Sequence, residues 1–340
     1  MKRLKLLAVM GLSLLALSAC TINKNEAAKD PAVAAKDLAV AIHDNDFDRL
    51  SHIMVPPDLY AKLEARYKDE AAKKPAPTAE DEAQFKANFI DKYTAPGAED
   101  KLFAQLQPQL AQMGPQIPMG VAMMSGMAGQ SIDQNAKMSP AEKTQANAVL
   151  TAITKWATTA PLADPEKAKQ AIKVVVGTAR DLKLTTLDAM QKLSFSEMMQ
   201  KAGIAAGGLR KTLAVYGFDT DKMLDSVKAE KKSETGDTAV VTVSYTLLDT
   251  PVTADVNMIK RDGRWYSADL VKSVEDSLAK PAVDTSAPPM AGPAMSPPEA
   301  SGPEASPAED ASAAMPASDA SEQPSDDTSS PASDASNGGG

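Results

Sequence analysis

The chain has 340 residues and a formal net charge of −9. Its last 60 residues carry ten acidic side chains and no Lys or Arg, which leaves the rest near neutral at +1. A near-neutral body with an acidic end lacks the clustered cations that nucleic acid requires, and a single cysteine excludes internal disulfides and cysteine-based metal cages.

Lys2, Arg3 and Lys5 form a basic start, and Leu6 to Leu17 is an uncharged apolar run of 12 residues. A membrane-spanning helix needs about 20 such residues, so the run fits the core of a secretory signal over residues 1–19. It ends in Leu17, Ser18, Ala19 and Cys20, the chain's only cysteine. This tetrad resembles the lipobox of bacterial lipoproteins. The resemblance implies cleavage before Cys20, a diacylglyceryl (palmitate-type) group on its sulfur, and acylation of the new amine. Residues 20–29 would then be a lipidated tether, with the membrane as partner. In that family an Asp after the cysteine tends to retain the protein in the inner membrane, so Thr21 favours the outer membrane, facing the periplasm.

Residues 30–218 read as mostly helical. Asp30-Pro31 is a cap followed by a first-turn proline, and Ala34, Leu38, Ala41 and Ile42 then share one face. A short helix spans Asp46 to Met54 before Pro56-Pro57. Leu59, Leu63 and Tyr67 mark a third, and Phe85 with Phe89 a fourth. Ser139-Pro-Ala-Glu142 is a capping box, with Ala146, Val149, Leu150, Ile153 and Ala157 facing inward. Asp164-Pro165 opens another helix, with Ala168, Ile172, Val175, Val176 and Ala179 inward, and Ser194 with Glu197 caps one more.

Over residues 219–280 the period changes. Val241, Val243, Tyr245 and Leu247 alternate with polar residues, as do Val252, Ala254, Val256 and Met258. Asp262-Gly263 and Thr235-Gly236-Asp237 supply turns. The expectation is a three- or four-stranded antiparallel meander over 225–268, then a short helix opened at Ser273. Helices followed by such a sheet give an α+β fold. Residues 281–340, rich in Pro, Ala, Ser, Asp and Glu, cannot bury enough apolar area to offset ordering and read as a disordered tail.

Two stretches resemble NTF2-like domains of bacterial lipoproteins. Asn45-Asp-Phe-Asp-Arg-Leu50 looks like the start of such a domain, and Met258-Ile-Lys-Arg-Asp-Gly-Arg-Trp-Tyr266 like its last hairpin. The likeness covers only the two ends of the folded middle. It implies a bent sheet around a long helix, with a cone-shaped cavity, and binding more often than catalysis.

Enzyme motifs are sparse. Gly203 to Gly208 has phosphate-loop spacing, but Leu209 and Arg210 stand where Lys and Ser or Thr are needed. Ser277-Leu-Ala-Lys280 matches SxxK of serine acyl enzymes without the accompanying KTG or SDN. His43 and His52 are nine residues apart, so on one helix they face opposite ways, whereas a turn near Asn45 would let them meet. No cofactor and no metal site is expected. Trp265 reads first as a cap on the core and second as a platform for a ligand.

Residues 102–132 hold no charged side chain over 31 positions. Within them, Ile117 to Gly129 is apolar and carries Met119, Met123, Met124 and Met127. The simplest reading is a buried or loop-covered core segment. A partner- or membrane-contacting surface is the main alternative, because methionine adapts to varied partners. Cu(I) ligation by thioethers and disorder are the others. Together these features predict a membrane-anchored envelope lipoprotein that is not an enzyme but a binding or assembly module. Its candidate contacts for a partner or ligand are Ile117, the four methionines and Trp265, and a protein of the envelope would be the partner. The alternatives are a carrier or sensor of a small apolar ligand in an NTF2-like cavity and, behind it, a cell-wall enzyme.

Overall fold

The computed structural model describes residues 25–136 and 138–280. The expected signal segment, the expected lipobox with Cys20, the expected tether as far as residue 24 and the acidic tail from residue 281 lie outside the described residues.

The expected capping signals start the expected helices. Helix α1 (Pro31–His43) begins where the Asp30 carboxylate accepts the backbone N–H groups of Ala32 and Val33 at 2.9 and 3.0 Å. It is followed by α2 (Phe47–Met54) and α3 (Pro57–Lys73). Next, α4 (Ala79–Phe85) runs into a π-helical stretch, Lys86–Thr94, along which Phe85 stacks on Phe89 and Phe89 meets Tyr93 at a tilt. After α5 (Ala98–Met113), a 3-10 turn at Gly114–Gln116 leads to α6 (Ile117–Gln134), and α7 (Pro140–Thr159) follows. Helix α8 (Pro165–Asp181) precedes the short α9 (Leu187–Gln191), the long α10 (Phe195–Val215) and α11 (Thr220–Asp225). Capping boxes at Ser139 with Glu142 and Ser194 with Glu197 are both formed.

The sheet is a four-stranded antiparallel meander, β1 (Lys228–Thr235), β2 (Thr238–Leu247), β3 (Thr250–Arg261) and β4 (Arg264–Ser267), paired in chain order. The fold is therefore α+β, helices first. The inward positions of β2 and β3 match the alternation in the sequence: Val241, Leu247, Val252 and Met258 are buried. Gly236, Asp262 and Gly263 all take positive φ in the turns. The β2–β3 turn is less legible, because Leu248 and Asp249 adopt φ of 49° and 66°, a conformation that bulky leucine seldom supplies.

Three expectations are corrected. The last helix, α12 (Ala268–Ala279), is capped by Ser267, six residues before Ser273, because β4 runs straight into it and the Ser267 hydroxyl accepts the Leu270 N–H. On α7 Ile153 turns outward at 37% exposure while Ala152 packs with Leu247 and Val252, and Val149 keeps its inward place beside them. On α8, Ala171 is buried where Val175 was expected.

Helix α1 lies on the inner face of the sheet, where Ala34 meets Val241, Met258 and Trp265. Its other side packs with Ile53, Val55, Leu59, Tyr266 and Val271. Residues 26–28 reach β4: the Trp265 N–H donates to the Ala28 carbonyl at 3.0 Å, and Arg264 bonds both the Ala27 carbonyl and the Glu26 carboxylate.

Gly203 and Gly207 bring α10 against the corner between α1 and α2. A Cβ on Gly203 would overlap the Asn45 carbonyl oxygen, and one on Gly207 would stand 2.7 Å from Asn45 Oδ1. Asn45 itself holds φ of 57° to turn that corner. The glycines of the apparent phosphate loop thus serve helix packing. Gly203→Ala should cost about 2 kcal/mol, since the clash is with rigid backbone; a thermal melt within 1 °C of the parent would refute the close approach.

Candidate functional site

Helix α6 forms because methionine, alanine and glutamine favour helix and Pro118 sits in the first turn, where its missing N–H costs nothing. No residue of α6 is buried. One face, with Ile117, Val121, Ser125, Ala128, Gly129 and Ile132, is half-buried and turned to α7. A Cβ on Gly129 would meet Leu150 at 3.7 Å. At the far end Asn147 and Lys143 bond Asp133, closing an α6–α7 hairpin.

The other face carries the methionines. Met119, Met123, Met124 and Met127 are 73%, 66%, 70% and 65% exposed. This overturns the expectation of a buried core segment: in the sequence, a helix needing α7 for half its surface looks the same as one enclosed on all sides. Gly120, half-buried, and Gly126, exposed, lie on the methionine side, and a Cβ on either would meet nothing within 4 Å. Each glycine costs a helix interior about 1 kcal/mol relative to alanine. Gly129 offsets that by packing on α7; Gly120 and Gly126 gain no such contact within the chain.

The remaining candidates lie elsewhere. Trp265 is 1% exposed in the core beneath α1, so as placed it offers no surface to a partner. His43 and His52 do not meet: His52 stacks on Tyr60 at 3.9 Å, whereas the His43 ring faces Asp44 at 3.0 Å and Asp225 at 3.5 Å. The hydrogen bond with Asp44, aided by Asp225 and Asp221, raises the His43 pKa above the usual imidazole range against an opposing effect of burial.

Arg210 had no role in the sequence beyond spoiling a phosphate loop. Its guanidinium donates to the carbonyls of Ile42 and His43 and pairs with Asp221 at 3.2 Å. It closes the C-terminus of α1, where carbonyls lack helical partners and the helix dipole favours a cation. In the same way Arg66 donates to the Ser277 carbonyl at 2.6 Å at the end of α12.

Among the described residues, two depressions stand out. One, about 410 Å³, lies along the polar side of α12 beside Asp269, Lys272, Asp276 and Lys280. The other, about 230 Å³, lies between α1 and α11 beside Lys36, Val40, His43 and Asp225. Both are open to solvent and edged by charge. No group of three or more His, Cys, Asp or Glu among the described residues is arranged to hold a metal ion. None of their helices is long and apolar enough to cross a membrane. No described protein family, curated protein or solved structure matches the chain.

Proposed function

We propose that the chain is a lipid-anchored protein of the cell envelope, at the outer membrane, whose body binds another protein and carries out no reaction of its own. The observation that carries the reading is the methionine face of α6. Four long apolar side chains stand at least 65% exposed in a stretch without a single charge. Together they present on the order of 500 Å² of apolar surface, at the upper end of what a monomer leaves uncovered without a use for it. Thioether side chains are flexible and polarizable and pack well against an incoming surface. The lipobox at Leu17 to Cys20 supplies the place of action. A carrier of small apolar ligands would need an enclosed apolar cavity, and the two depressions above are open and edged by charge.

The test is the triple change of Met119, Met123 and Met127 to Gln in the full chain. Chemical cross-linking in native envelopes should lose its adducts, while the thermal transition moves by no more than about 2 °C, because exposed substitutions alter stability little. Adducts that survive the triple change would place the docking surface elsewhere.

A further inference from the structure

A strip of seven residues on the side of α6 turned away from α7, begun in the turn before it, reads the same in both directions. Along it lie Gln116, Met119, Gly120, Met123, Gly126, Met127 and Gln130. Reversed about Met123, Gln116 falls on Gln130, Met119 on Met127 and Gly120 on Gly126. The face turned to α7 does not share this symmetry: Ile117 would fall on Gly129 and Val121 on Ser125. The pattern runs along the side turned away from α7, where all of its residues but the half-buried Gly120 are exposed.

We propose that the occupant of this face is a second copy of the same chain, with the two α6 helices packed antiparallel about a two-fold axis through Met123. The proposal rests on the reading of the face as a docking surface and names its partner. A two-fold interface is isologous, so residue i of one copy meets residue j of the other and j meets i. The palindrome meets that condition with like residues: Met119 lies against the partner copy's Met127, the glycines face one another, and the glutamines pair at the two ends. Met124 departs from the pattern, and its counterpart is Ala122, a large side chain beside a small one on the flank.

Three further observations favour self-pairing. Residues 102–132 carry no charge, so two identical faces meet without like-charge repulsion. Gly120 and Gly126 have open space where a Cβ would stand, which lets a second helix come close between the methionine side chains. Finally, the four methionines expose roughly 500 Å² per copy, so a pair buries about 1,000 Å², the lower limit of a specific interface and more than most adventitious contacts. A lipid surface fits less well. Helix α6 has no Trp, Phe, Lys or Arg, the residues that hold an amphipathic helix at a bilayer.

The register makes the test specific. Met123→Cys lies on the axis, and in native envelopes under mild oxidation it should give a disulfide-linked dimer of twice the chain mass. Met119→Cys alone should not, because its partner position is 127 and the two copies of residue 119 lie eight residues apart along the helices. Co-expressed Met119→Cys and Met127→Cys chains should link to each other. In the purified full-length protein, Met123→Glu places two like charges on the axis and should weaken dimerisation at least tenfold by sedimentation, with the helical circular dichroism unchanged. Equal linking from positions 119 and 123, or an undiminished dimer in Met123→Glu, would overturn the pairing. A Met123→Cys adduct with a chain of different mass would overturn self-pairing while leaving the docking reading standing. No adduct from any of the three positions would overturn both.

Discussion

Trp265→Ala should destabilise the body by about 4 kcal/mol, more than any other single change described above to the folded part. The indole is 1% exposed and packs with Ala34, Ala239, Val241 and Met258. Two of those four neighbours are alanines, whose small size makes room for the ring. Truncation therefore leaves a large void that short side chains do not refill, and the loss includes a cavity penalty beside the transfer free energy. The backbone bond from Trp265 to the Ala28 carbonyl needs no side chain and should persist. Lys260, whose ammonium stands 5.5 Å from the ring centre, separates packing from charge. Lys260→Ala removes a cation–π contact worth at most about 1 kcal/mol and should barely move the melt. For a body of this size, 4 kcal/mol corresponds to a fall of roughly 10 °C in Tm. A fall below about 2 °C would mean that the ring is not the centre of this part of the core.

The sequence was most legible where local chemistry decides structure. Asp30, Ser139, Asp164 and Ser194 are caps because their side chains accept backbone N–H groups that a helix start leaves over, and each does so. The strands of β2 and β3 could be read because only one face of the sheet is buried, which forces alternation. Legibility fell where tertiary contacts decide. One expected position on each of α7 and α8 turns outward, Ile153 and Val175, while small Ala152 and Ala171 sit at close contacts. A hydropathy pattern weights residues by size and misses contacts made by alanine.

The candidate site shows the same limit. An apolar stretch without charge can be enclosed, half-enclosed or presented to a partner, and all three give one composition. The four methionines stand together on one side of α6, and their exposure depends on α7 covering only the other side. The missed signal was the placement of the glycines. Gly120 and Gly126 fall on the methionine side and Gly129 on the opposite one, and three glycines in an 18-residue helix call for contacts that reward them. Arg210 could not have been found from the sequence, since its acceptors, the carbonyls of Ile42 and His43, lie nearly 170 residues away.

Cys20→Ala should produce the largest change in where the protein is found. Each acyl CH₂ buried in a bilayer adds ~0.8 kcal/mol, one chain binds only marginally, and two or more hold a protein stably. Without the thiol there is no acceptor for the diacylglyceryl group, and the lipobox can no longer direct cleavage at this site. The variant should leave the washed membrane fraction and appear as a soluble envelope protein, or stay uncleaved with its signal attached. Its body should melt as the parent does, because the fold begins at residues 26–28 on β4, within the stretch expected as tether and downstream of Cys20. The five peptide steps from Cys20 to Asn25 span at most about 18 Å, so a lipid on Cys20 would hold the β4 end of the body close to the membrane. A cleaved Cys20→Ala protein that still sediments with washed membranes would sink the anchor. If the protein is released yet remains dimeric, anchoring and the α6 face act independently. Release together with loss of the dimer at equal concentration would instead show that confinement on the membrane supplies the local concentration that α6 pairing requires.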